Sequence, residues 1–136
     1  MKLEQQVCSL DLAKRLKEFG VKQESYFYWW TKDWNDREVK PAIHTSSRVQ
    51  SGNSTIPVPD CYSAFTVAEL GEMLPDIVGD AWLMCSFCKN AGKYDVEYVQ
   101  WVNSSLHHIY SERGENEADA RAKMLIYLLE NKLITL

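Results

Sequence analysis

Cys85-Ser86-Phe87-Cys88 is the one run in this chain whose residue types and spacing resemble a metal motif. Zinc needs four convergent ligands, and two thiolates in a CxxC turn supply half of them. The other half would have to come from His107-His108, because no second CxxC exists. On extended strands both pairs work against such a site. Residues three apart point to opposite faces, and so do adjacent histidines. A thioredoxin-like role fits less well, since that motif sits at a strand-to-helix junction and this one runs into a hairpin turn. We therefore expect no metal and no cofactor; Cys85 and Cys88 are the only metal candidates, and the plain reading makes them small strand residues. His44, His107 and His108 could serve acid–base chemistry, but a catalytic imidazole needs an orienting partner and a reacting group. The chain has no GxSxG, P-loop or HExxH pattern. We assign no catalytic residue and expect a non-enzyme.

Aromatic side chains are the other unusual resource: five Trp, seven Tyr and four Phe. Tyr26-Phe27-Tyr28-Trp29-Trp30, with Trp34 close behind, could stack nucleobases beside Lys32 and Arg37. The formal charge of −4 opposes that use, and no basic run compensates it. A central strand buried on both faces accounts for the cluster without any ligand. An intermediate possibility buries one face and offers the other to a protein, where Trp and Tyr are enriched. On that reading Tyr28, Trp30 and Trp34 are the partner-binding candidates, the partner being another protein or a second copy of the chain, with nucleic acid disfavoured.

These residues must be held by a fold that the sequence outlines unevenly. A chain of 136 residues, 46% hydrophobic and 25% charged, is expected to form a single soluble domain. Residues 1–7 lack the apolar core of an export signal, and no run approaches the ~20 apolar residues that cross a bilayer. The expected location is the cytoplasm, away from membranes, with the four cysteines as thiols. Ser9 and Asp11 open a first helix whose stripe is Leu12, Leu16 and Phe19; Gly20 ends it and Val21 folds back. Thr66-Val67-Ala68-Glu69 is a capping box, and Pro75 closes that second helix. The third runs through residues 115–131. It begins with acids, carries six apolar residues from Met124 to Leu129, and is expected to end on Asn131 in the left-handed conformation. Such a run has no polar face and must be covered on most sides: Met124, Leu125, Leu128 and Leu129 are expected between the sheet and the first helix, and the second face, with Ile126 and Tyr127, under residues 46–59 or a partner subunit.

Between the helices the signals are β-like. Residues 26–34 and 38–45 can pair across Asn35-Asp36, with Pro41 forcing its strand to an edge or bulge. Residues 46–59 read as a mobile loop hiding a short strand that the pattern does not place. Residues 81–88 and 94–102 form a second hairpin, and 106–110 a further strand. Strands joined by short turns imply an antiparallel sheet, so the expectation is α+β: one sheet of about four to five strands packed with three helices.

Two phrases and the last helix carry a resemblance. They are Ser9-Leu10-Asp11-Leu12-Ala13-Lys14-Arg15-Leu16-Lys17-Glu18-Phe19-Gly20-Val21-Lys22-Gln23-Glu24-Ser25, Tyr62-Ser63-Ala64-Phe65-Thr66-Val67-Ala68-Glu69-Leu70-Gly71-Glu72-Met73-Leu74-Pro75, and residues 118–131. Together these resemble a group of short phage and prophage proteins to which no activity is attached. The resemblance covers the three helices and leaves residues 34–59 unmatched. It implies a phage-derived, intracellular protein and transfers no functional residue. The expected function is that of an accessory protein acting through protein contacts, in the form of a homodimer or with another chain. Alternatives are a small enzyme or metal- or nucleotide-binding protein using scattered His and Cys, and a single-strand nucleic-acid binder.

Overall fold

A computed structural model describes residues 1–136. Helix α1 is Leu10–Glu18, with Ser9 at its N-cap in an extended conformation. The Ser9 hydroxyl makes no capping bond; its backbone N–H instead donates to Asp119 Oδ1 over 2.7 Å, tying the start of α1 to the first turn of the last helix. At the other end Gly20 takes φ +86, Val21 N–H donates to Leu16 O at 3.1 Å and Gly20 N–H to Lys17 O at 3.0 Å. This is the glycine-terminated Schellman arrangement, with Val21 buried as the hydrophobic partner.

Strand β1 (Tyr28–Lys32) pairs antiparallel with β2 (Glu38–His44). Three residues of β2, Val39, Lys40 and Pro41, stand opposite the single Thr31, because the register steps from Trp30↔Ala42 to Lys32↔Glu38. Pro41 thus lies both at a sheet edge and in a bulge, where its missing N–H costs no ladder bond. Residues 46–59, expected as a loop, form a separate hairpin: β3 (Arg48–Ser51) and β4 (Ser54–Pro57) joined through Gly52-Asn53. Strand β5 (Cys61–Ser63) then returns to the free side of β1, giving the order β2-β1-β5.

Helix α2 (Val67–Met73) opens with the complete capping box: Glu69 N–H donates to Thr66 Oγ1, and Thr66 N–H donates to Glu69 Oε2. A four-stranded antiparallel meander follows, β6 (Ile77–Val78), β7 (Ala81–Cys88), β8 (Lys93–Val102) and β9 (Ser105–Gly114). Asn103 and Ser104 both take positive φ in the β8–β9 turn, the hand that suits a two-residue hairpin loop. Helix α3 (Glu117–Glu130) is capped by Asn116, whose Oδ1 accepts from Asp119 N–H at 2.8 Å. Its C-terminus differs from expectation. Asn131 stays at φ −90, and Lys132 takes the left-handed position with φ +57.

The architecture is α+β, but the expected single sheet of four to five strands is split into sheets of three, two and four strands. Helices separate the two larger sheets. Helix α3 packs on β8 and β9, α1 and α2 pack on α3, and β5 packs on α1. Each larger sheet has one face on this helical layer. Met124, Leu125, Ile126 and Leu128 are all buried in the common core with Leu16, Leu70 and Tyr98. The all-apolar run is therefore covered within one chain by β8, β9, α1 and α2, and not by residues 46–59. No helix is long and apolar enough to cross a membrane.

Candidate interaction face

The chemistry-bearing residues singled out from sequence are dispersed. In the β7–β8 ladder Cys85 is opposite Val96 and Cys88 opposite Lys93, so the two thiols fall on opposite faces of the sheet. Burial raises the Cys85 thiol above its ordinary range. His107 and His108 are consecutive on β9 and also face apart, while His44 lies on β2 of the other sheet. No three His, Cys, Asp or Glu side chains converge.

The aromatic segment is largely used inside the chain. Trp29 Nε1–H donates to Cys8 O at 2.9 Å, and its ring packs on the core. Trp30 Nε1–H donates to Ser46 O at 2.7 Å, and its ring stacks on His44 at 3.8 Å between centroids. The Tyr28 hydroxyl accepts from Ser25 N–H. Trp34 remains 54% exposed, lining a shallow groove with Val49 and Ile56 of the β3–β4 hairpin. Strand β1 is half-buried along its length, whereas the sequence suggested burial on both faces.

A second exposed aromatic pair lies on the four-stranded sheet. Register sorts the residues of the β7-β8-β9 meander onto two faces. Leu83, Val96, Tyr98 and Tyr110 take one face and pack into the core against α3. Opposite Val99 on the other face are Trp82 of β7 and His108 of β9; Leu106 is opposite Trp101, and Glu97 is opposite Met84 and Ser111. Trp82 is 38% and Trp101 59% exposed. They are diagonal neighbours, a spacing of about 7–8 Å between Cα atoms. Val99 itself is fully buried yet outside the core cluster.

Polar pairs border the apolar group. Glu97 is central: its Oε2 is 3.0 Å from His108 Nδ1, and its Oε1 accepts from Ser111 Oγ–H at 3.1 Å. Next along β8, Asp95 accepts two bonds from Arg113, at 2.7 and 3.0 Å. That guanidinium holds the Asp95 carboxyl below its ordinary range, and the Arg113 pKa rises in turn. Lys93, at the end of the same row, is tied to Glu115. The face is an apolar group of Trp82, Met84, Val99, Trp101 and Leu106, with the Asp95–Arg113 and Lys93–Glu115 ion pairs and the Glu97 carboxylate beside it.

A sequence signal for this face existed. On β8 the residues alternating with the core set Tyr94, Val96 and Tyr98 are Asp95, Glu97, Val99 and Trp101; the solvent side thus turns apolar halfway along the strand. That signal becomes legible only once the core side is known.

A cleft of about 780 Å³ runs along α2 past Tyr26, Phe65 and Met73. Its Glu69 is fully engaged, accepting from Ser25 Oγ–H and from the backbone of Tyr26 and Thr66, so it braces the loop to α2. The chain matches no protein-family model, and no curated protein or solved structure shows significant similarity to it.

Proposed function

We propose that this chain is a non-enzymatic accessory protein that works through protein contacts, with the outer face of β7-β8-β9 as its docking surface. The observation that carries this reading is the pair Trp82 and Trp101, diagonal neighbours on the face of the meander opposite the core and 38% and 59% exposed. Indoles are enriched where interfaces concentrate their binding energy, and an apolar centre with a polar rim is the common anatomy of such surfaces. Phage or prophage origin and an intracellular location, implied by the resemblance of the helical segments, belong to the same proposal. Tyr28 and Trp30 are less suited to a partner because their polar ends are engaged; Trp34 is a secondary candidate.

The test is affinity capture from cells of the native source with wild type and Trp101→Glu, followed by reconstitution with whatever purified chain is recovered. We expect a chain held by wild type and lost with the variant. Equal recovery by both would refute the assignment of the face.

A second reading has one observation in its favour. A helix-backed four-stranded antiparallel sheet with exposed aromatics is a geometry used for stacking single-stranded bases. Against it, Arg113 is bound to Asp95 and Lys93 to Glu115, leaving little to attract phosphates. A mobility-shift assay at low salt, where electrostatic binding is strongest, should show no single-strand complex; a tight complex would favour this reading instead.

A further inference from the structure

We infer that the free edge of β7, from Met84 to Cys88, receives an extended segment of another protein as an added strand. This surface is distinct from the outer face of the meander, and the two stand or fall separately. The first observation is where the chain's own cover ends. Strand β6 pairs with β7 only at Ile77↔Trp82 and Val78↔Ala81, and one further bond runs from Leu83 N–H to Asp76 O at 2.9 Å. Upstream of Asp76 the chain leaves the edge toward α2. Pro75 has no N–H to lend, and its carbonyl accepts from the Tyr98 hydroxyl.

Backbone direction alternates along a strand, so Cys85 and Phe87 point their N–H and C=O groups the same way as Leu83. No other backbone group of the chain bonds to them there. Met84 and Ser86 instead face β8, opposite Glu97 and Asp95. An outward row of alternating donors and acceptors is matched by an extended backbone, which is how sheet edges take up peptide strands.

The second observation is that this edge lacks the usual guards. Charges, prolines and bulges keep sheet edges from pairing. Strand β9, at the opposite edge, has a register shift and carries Glu112 and Arg113; β2 carries Pro41. Leu83-Met84-Cys85-Ser86-Phe87-Cys88 has neither charge nor proline. Its register with β8 is unbroken from Trp82↔Val99 to Cys88↔Lys93.

The surroundings indicate what kind of segment fits. Phe87 is 53% exposed, with its ring 4.8 Å from that of Tyr94. Glu117 and Arg121, the charged groups of α3 nearest Cys85, are already paired at 2.8 Å. A guest side chain beside Phe87 therefore meets rings and no free charge, and is apolar. A second copy of the chain fits less well. Whichever way it ran, its β7 would carry either its own Ala81-to-Leu83 stretch or its β7–β8 turn into the line that β6 holds.

Panning the full chain against a display library of random linear peptides supplies the probe, and amide exchange by NMR reads the contact. A selected peptide should slow exchange at Cys85 and Phe87 and change Met84 and Ser86 little, since those two already face β8. Cys85→Pro removes an outward N–H and no β8 bond, a strand position that tolerates proline. It should keep the wild-type far-UV circular dichroism and bind the peptide at least about tenfold more weakly. Cys85→Ala should bind as wild type does. So should Trp101→Glu, which separates this result from the fate of the outer face. Recovery of no peptide, or of peptides that leave the Cys85 and Phe87 amides unprotected, overturns the inference. Protection of those amides that rises with protein concentration, without peptide, makes a second copy the occupant and also overturns it. Should Cys85→Pro unfold, amide exchange in the wild type decides alone.

Discussion

The Tyr98 hydroxyl donates to the carbonyl of Pro75 over 2.6 Å, joining the middle of β8 to the residue that ends α2. Tyr98 is the largest fully buried side chain in the protein, and its ring meets Tyr110 edge-on. Replacing it with Phe keeps the ring and removes only this bond. We expect Tyr98→Phe to lose about 1–2 kcal/mol in urea unfolding, the net value of one hydrogen bond plus part of the cost of an unpaired carbonyl.

Two buried acids make the fold sensitive to alkali. Burial raises the Cys8 thiol from its ordinary 9.0 to about 12 and the Tyr98 phenol from 10.0 to about 12. The unfolded chain therefore releases these protons at lower pH than the folded one. The stability they contribute is complete below pH 9.0 and declines as pH rises toward about 12. Melting temperature measured against pH should begin to fall above pH 9.0, and Cys8→Ala should flatten the earlier part of that fall. An unchanged slope in Cys8→Ala would locate the alkaline sensitivity elsewhere.

Gly114 and Gly71 should respond in opposite ways to the same substitution. A Cβ on Gly114 would meet the backbone of Ala120 and Asn116, in the first turn of α3. Backbone cannot step aside cheaply, so Gly114→Ala should cost about 1–3 kcal/mol or more. A Cβ on Gly71 would meet only the Arg121 guanidinium, the far end of a flexible side chain. Gly71→Ala should be near neutral, the helix gaining about 0.5–1 kcal/mol while Arg121 shifts. Paired thermal melts distinguish these cases.

On α3, Leu125→Ala and Leu128→Ala should each cost about 2–5 kcal/mol, since both are fully buried and leave cavities. Ile126→Lys should unfold the protein, because Ile126 is only 2% exposed and covered by its own chain. A folded Ile126→Lys protein would show that this side of the helix is less enclosed. Glu130→Ala should stay within about 0.5 kcal/mol, as exposed sites do.

Zinc should have no effect on the melting temperature. Cys85 and Cys88 face opposite ways, and no three His, Cys, Asp or Glu side chains converge. Stabilisation by stoichiometric zinc that disappears in Cys85→Ser would contradict this.

The helices were legible because their signals are local. A capping box at Thr66, a glycine after α1 and an apolar run in α3 are set by neighbours within a few residues, and the helices formed where these signals lie. The end of α3 shows the limit: Lys132, without any special propensity, took the left-handed position expected of Asn131. There the N–H groups of Lys132 and Leu133 donate to the carbonyls of Leu129 and Leu128, and those bonds settled the conformation.

The sequence by itself determined the α+β class, the three helices, the hairpin around Asn35-Asp36 and the edge position of Pro41. Each follows from backbone propensity or side-chain period, which act along the chain. Tertiary structure alone decided that the strands divide into three sheets, that residues 46–59 pair with each other, and that α1 and α2 rather than that segment pack on α3. It also decided that Trp29 and Trp30 are spent on internal bonds while Trp82 and Trp101 remain exposed. A strand's two faces are equivalent until a helix packs on one of them. On the meander, that Trp82 and Trp101 meet water was therefore fixed by where α3 landed, an outcome of contacts far apart in the sequence.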